Sequence, residues 1–177
     1  MRREILIVPV GDVSPEVVRW LVEALGSVFD CSCRTITALP RPDYAWDNTR
    51  EQYRAETVLA RVSAGHSTCA LAVADLDMFV PDLNFVFGLA QRGMARAIIA
   101  LPRLRQSYYG LHEDITVFRE RVIKEAVHEL GHVFGLSHCD DSRCVMAFSN
   151  SLRDTDRKRY TFCRECKERL QIELIES

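Results

Sequence analysis

The order of apolar and polar positions divides the chain into a first two-thirds of alternating strand-like and helix-like stretches and a last third that starts with one long helix. Glu4 to Val10 reads as a strand. From Pro15 to Phe29, Val17, Val18, Leu21, Leu25 and Val28 fall on one broad face at helical spacing and predict an amphipathic helix. Cys31 to Leu39 alternates with polar residues as strands do, and Arg50 to Val62 returns to helical spacing. Such a βαβα opening favours a parallel sheet, because strands running the same way need a crossover between them. Cys69 to Ala74, Asn84 to Gln91 and Ala95 to Leu101 are further β-rich runs, and the turn Gln91-Arg92-Gly93-Met94 between the last two is short enough for a hairpin. The predicted fold class is therefore α/β: one domain with a mixed sheet, mostly parallel with one antiparallel strand, and helices packed on its faces.

Pro40 to Asn48 and Gln106 to Glu113 read as surface connections. A strong helix begins near Thr116, with Asp114 or Thr116 available as N-cap, and runs to about Phe134, where Gly135 is placed to end it. Little regular pattern follows until Cys163 to Ile175, a predicted C-terminal helix.

At 177 residues and 47% apolar composition, the chain suits one well-packed domain and is short for two. A net charge of -2 gives no global electrostatic reason to bind nucleic acid or anionic lipid, so no nucleic-acid partner is expected. MRREILIVPVGD reads as a first strand and not a signal peptide, because Pro9 and Gly11 interrupt its apolar run. No segment approaches the roughly 18 apolar residues of a membrane span. The expected setting is the cytosol, where seven cysteines favour metal binding over disulfides.

The chemistry concentrates in HELGHVFGLSH, residues 128–138. Positions four apart share a helix face, so His128 and His132 can address one ion, while Glu129 sits one residue round, able to handle water without ligating. Gly135 allows the reversal that brings His138 back as a third ligand, leaving the open fourth position of catalytic zinc. A chance HExxH arises in about one chain of this length in 200, and the glycine and third histidine lower that to about one in 100,000. A downstream Glu165, Glu168 or Glu173 as third ligand is the competing reading, and it leaves Gly135 and His138 unexplained. His66 and His112 lie outside this spacing and receive no role.

Cys139 and Cys144, then Cys163 and Cys166 in CREC, form two pairs that fit a closed, tetrahedral, structural zinc site. In extended backbone His138 and Cys139 point opposite ways, so the two expected zinc ions would lie on either side of one extended segment. Disulfides or free thiols are the alternatives for these four cysteines. Cys31, Cys33 and Cys69 read as core residues.

HELGHVFGLSHC with Cys144, Met146 and CREC resembles the archaemetzincins, zinc peptidases of the metzincin clan with a second zinc on four cysteines. The resemblance extends to FVPDLNFVFGLA before the helix and CVMAFSNSLRDTDRKRYTFC after it. It implies a single metallopeptidase domain over 1–177, with the sheet and active-site helix in 1–135 and the Met-turn and four-cysteine subdomain in 136–177. By the same resemblance His128, His132 and His138 are the catalytic ligands, Glu129 the base, the four cysteines the second-zinc ligands, and Met146 the Met-turn methionine beneath the metal. It further implies a twisted sheet whose antiparallel edge strand, best matched by Asn84 to Gln91, pairs with a peptide or protein substrate. Some metzincins place a tyrosine after the Met-turn; Phe148 stands near that place here.

Two other functions compete. One is a zinc-containing peptide-binding protein with little turnover. The other is a nucleic-acid binder using Arg157, Lys158 and Arg159, although so short a basic run usually marks a solvated loop. Substrate preference and oligomeric state have no signature in the sequence.

Overall fold

The computed structural model describes residues 3–176, with side chains through residue 171. Strand β1 (Glu4–Val10) is buried on both faces from Ile5 onward, which accounts for its almost unbroken apolar sequence. Helix α1 (Pro15–Phe29) follows, its first turn capped by Ser14, whose side chain accepts the Glu16 N–H. Then come β2 (Ser32–Thr35), β3 (Trp46–Asp47), β4 (Gln52–Arg54), α2 (Ala55–Leu59), β5 (Cys69–Ala74), β6 (Met78–Phe79), β7 (Gly88–Gln91) and β8 (Arg96–Ala100). Helices α3 (Ile115–Val133), α4 (Leu152–Arg157) and α5 (Arg164–Glu176) complete the order.

The main sheet runs β2-β1-β5-β8-β7, parallel throughout except for β7 against β8. The expected mixed sheet with a single antiparallel strand is therefore observed, and that strand lies at the edge. Alternation along the strands sorts side chains between two cores. Ile5, Ile7, Leu71, Val73 and Ile99 pack with α1 and α3, whereas Leu6, Val8, Ala70, Ala72 and Ile98 pack on the face of α2. Ile7, Leu21, Leu25, Leu71 and Ile99 are fully enclosed, and each such side chain contributes about 1.5–3 kcal/mol. Trp20 of α1 meets Phe118 of α3 edge-on at 6.1 Å. This packing sets α3 across the β7–β8 end of the sheet.

Several elements depart from expectation. Strand β2 is shorter than Cys31 to Leu39; after Thr35 the chain leaves the ladder and returns only as a bridge between Val10 and Leu39. Arg50 to Val62 is not one helix, because Glu51 has φ +53°, which an α-helix excludes, and Gln52 spends its amide on Asp77 and the Asn84 carbonyl. Asn84 to Gln91 is ladder only from Gly88, since Val86 donates its N–H to Met78 instead. A second sheet, β3-β4-β6, and helix α4 add to the elements that the sequence pattern predicts. Cys163 stands just before α5. Among the described residues, no helix is long and apolar enough to cross a membrane.

Candidate active site and metal centres

Helix α3 starts where Asp114 Oδ1 accepts the N–H groups of Thr116 and Val117 at 2.9 and 3.1 Å. It ends in a Schellman turn: Leu136 N–H reaches Gly131 O and Gly135 N–H reaches His132 O, with Gly135 at φ +95°. The reversal carries the next residues back over the helix face bearing His128 and His132. One imidazole nitrogen from each of His128, His132 and His138 lies within 4.8 Å of the other two.

Two carbonyls fix the chemistry of the helical pair. His128 Nδ1 donates to Val145 O at 2.8 Å, and His132 Nδ1 donates to Leu136 O at 2.7 Å, because a carbonyl can only accept. Each Nε2 then presents a lone pair, and the two face one another at 3.1 Å with no proton between them. Such an arrangement asks for a cation, and three neutral imidazoles are a donor set that zinc favours. Burial, the largest cause in each case, holds all three below the usual histidine range, His128 down to about 3, where the Lys158 ammonium acts in the same direction. Neutral rings are the form that binds metal. His138 is the most exposed of the three, and its ring rests edge-on against Phe148 at 5.2 Å.

Glu129 is buried, and burial together with the nearby Glu125 raises its carboxyl well above the usual range while Lys158 opposes the shift. It sits against β7 where only glycine fits: a Cβ on Gly88 would come within 2.6 Å of Glu129 Cγ and Oε1. Gly131 is equally constrained, since a Cβ there would overlap Met146 Sδ, which packs beneath the helix. One turn before Glu129, Glu125 accepts a hydrogen bond from Thr155 Oγ1 at 3.3 Å and lies 3.7 Å from Lys158 Nζ. Lys158 donates to Ala147 O at 3.1 Å. A cavity of about 430 Å³ opens beside these groups, lined by β7, the three histidines, Glu125, Glu129 and Phe148 to Asn150.

On the far side of His138, the sulfurs of Cys139, Cys144, Cys163 and Cys166 also lie within 4.8 Å of one another. The Cys139 and Cys163 sulfurs are 3.8 Å apart, far beyond a disulfide bond, and all four thiols are free. Backbone N–H groups point into the cluster, Cys163 N–H to Cys144 Sγ at 3.3 Å and Cys166 N–H to Cys163 Sγ at 3.5 Å. Donors to sulfur favour thiolate, and four thiolates in this volume require a cation. The donor set and its closure fit zinc.

Every residue singled out for the two clusters is thus brought together. Glu165 and Glu168 instead pair with Arg169 and Arg164 on α5, and Glu173 lies outside the residues whose side chains are described. Lys158 corrects the reading of a solvated basic loop: Arg157 and Arg159 are exposed, but Lys158 is 3% exposed against Glu125. Glu125, Thr155 and Gly88 belong to no motif read from the sequence. The spacing of Glu125 and Glu129 on one helix face was the available signal for the first.

Comparison with known proteins gives the same picture. The model of peptidase family M54 matches residues 46–172. The archaemetzincin of Methanocaldococcus jannaschii is 40% identical over 97% of this chain and 94% of its own, and that of Pyrococcus furiosus is 39% identical over 98% and 95%. The crystal structure of archaemetzincin from Archaeoglobus fulgidus superposes with a TM-score of 0.84 at 37% identity, covering 94% of this chain and 99% of that one. A fold of this kind with a HExxH helix beside its edge strand defines the class, a zinc metallopeptidase. Within that class the chain belongs to peptidase family M54, the archaemetzincins.

Proposed function

We propose that His128, His132 and His138 hold the catalytic zinc, that Glu129 is the general base, and that a peptide or protein substrate lies along the outer edge of β7. The observation that carries this reading is the pair of neutral Nε2 atoms facing at 3.1 Å, with the buried Glu129 carboxylate one residue away on the same cavity. Zinc bound there supplies Lewis acidity toward a carbonyl and lowers the pKa of water toward about 7.

The rest falls to the chain. The carbonyls of Val145 and Leu136 hold the two imidazoles in one tautomer and orientation. Glu129 takes the proton of the attacking water and returns it to the leaving amine. Among the described residues strand β7 has a ladder partner only in β8, so its outer edge offers backbone donors and acceptors to an extended substrate. Among the described residues no tyrosine lines the cavity; Phe148, 60% exposed beside His138, lends an apolar surface and no hydrogen bond.

The proposal extends to Cys139, Cys144, Cys163 and Cys166 as ligands of a second, structural zinc, giving two ions per chain. On this reading residues 136–177 form a Met-turn and zinc subdomain of one peptidase domain. Cys139, next to His138, donates its N–H to Met146 O at 3.0 Å, so two of the four sulfurs, the third histidine and the methionine floor share one short segment. Replacing Glu129 with Ala is expected to leave zinc bound and to cut peptide hydrolysis by at least about 100-fold. A variant that cleaves as the parent does would remove Glu129 from the mechanism.

A further inference from the structure

Glu125 lines the cavity beside the three histidines yet belongs to no step of the chemistry above. Its side chain is 4% exposed, so its carboxylate has left bulk water almost completely. What it receives in return is slight. Both contacts, Thr155 Oγ1 at 3.3 Å and Lys158 Nζ at 3.7 Å, go to Oε1. The ammonium is closer to another acceptor, Ala147 O at 3.1 Å. A buried carboxylate ordinarily gathers several strong donors, because each unmet lone pair costs free energy. Ser149, which also lines the cavity, has a buried Oγ with no hydrogen-bond partner among the described residues. The wall of this cavity therefore holds polar capacity that the chain itself leaves unfilled.

The rest of the lining combines apolar residues, among them Phe87, Leu89 and Phe148, with Arg92 and Asn150. We propose that this cavity receives one substrate side chain and that Glu125 selects there an apolar stem ending in an N–H donor, namely Lys, Arg or Gln. The stem covers the aromatic and aliphatic wall while the donor reaches Glu125, and leucine or phenylalanine would leave the carboxylate unmet. An acidic side chain would face two carboxylates, Glu125 and Glu129, at once. Lys158 is the positioning residue: held on Ala147 O, it keeps the Glu125 side chain at this wall and offsets part of its charge. The inference rests on the reading of this cleft as the substrate site.

The test uses the zinc-loaded enzyme and a peptide library randomised around the scissile bond. Lys, Arg and Gln are expected at one position next to that bond roughly tenfold or more over Leu and Phe, the factor for a hydrogen bond to a charged group. In the parent the cationic Lys and Arg should also exceed Gln, and in Glu125→Gln that advantage should fall to near parity. Because that change leaves Lys158 without its counter-charge, a double variant, Glu125→Met with Lys158→Met, provides a volume-matched pocket without either charge and should turn the preference to apolar residues. Binding of fluorescent peptides to Glu129→Gln, read by anisotropy, reports the same preference without turnover. Selectivity in binding with no cleavage by the parent would overturn the peptidase reading while supporting the pocket. Equal or better use of Leu and Phe by the parent, or a preference for Lys and Arg that survives in both Glu125 variants, would overturn the pocket.

Discussion

Glu129 can occupy its place only because residue 88 lacks a side chain. Gly88 adopts ordinary strand geometry, so its requirement is space and not backbone freedom. Gly88→Ala would set a methyl against the Glu129 carboxylate and is expected to lower kcat at least about tenfold, as a misplaced base does, with zinc content unchanged. Unaltered kcat in that variant would show that the carboxylate has room to spare. The histidines carry a second consequence at this scale. Burial holds His128 at about 3 against an ordinary 6.5, so between those values the unfolded chain binds a proton that the folded chain refuses. The stability of the metal-free protein therefore falls as pH drops through that window, by up to about 1.4 kcal/mol per pH unit from this group. Burial raises Glu125 and Glu129, whose contribution has the opposite slope, so the comparison is with His128→Asn, which keeps both carboxylates. Urea unfolding at pH 6 and pH 4.5 should show a steeper loss in the parent than in the variant; equal slopes would mean that His128 titrates normally.

At the level of elements, α3 is legible from sequence because its signals agree: a capping aspartate, helical spacing and a terminating glycine. Its cap has a measurable worth. Asp114→Ala removes the acceptor of two N–H groups and should cost about 1 kcal/mol in urea unfolding, leaving the histidine cluster intact. The parallel order of β1, β5 and β8 and the antiparallel β7 follow from apolar runs and connection lengths. The second sheet is not legible, because β3 and β6 have two residues each and show no period. Helix α4 escapes for another reason. LRDTDR has no apolar stripe, since polar contacts dock it: Asp156 takes both arms of Arg121 at 2.7 Å, and Thr155 reaches Glu125. The same docking buries Lys158, which local sequence shows only as one charge among three. Metal-type clusters are legible because ligand spacing is a local code, whereas Glu125, Thr155 and Lys158 meet only through tertiary packing.

For the whole molecule, the segment from Leu136 to Met146 ties the two clusters together. It supplies His138 to one and Cys139 and Cys144 to the other, and Cys163 and Cys166 join from the far end of the chain. On the proposed assignment the structural ion fixes the segment that carries the third catalytic histidine, so losing the cysteine site loosens the catalytic one. The central claim is two zinc ions per chain, one on three histidines and one on four cysteines. Its most direct test is the zinc content of the purified protein and of His138→Ala and Cys163→Ala variants, measured beside peptide cleavage. The account predicts two ions in the parent, one in His138→Ala with cleavage abolished, and in Cys163→Ala loss of the second ion with weakened retention of the first. A single ion in the parent, or full zinc content in either variant, would contradict it.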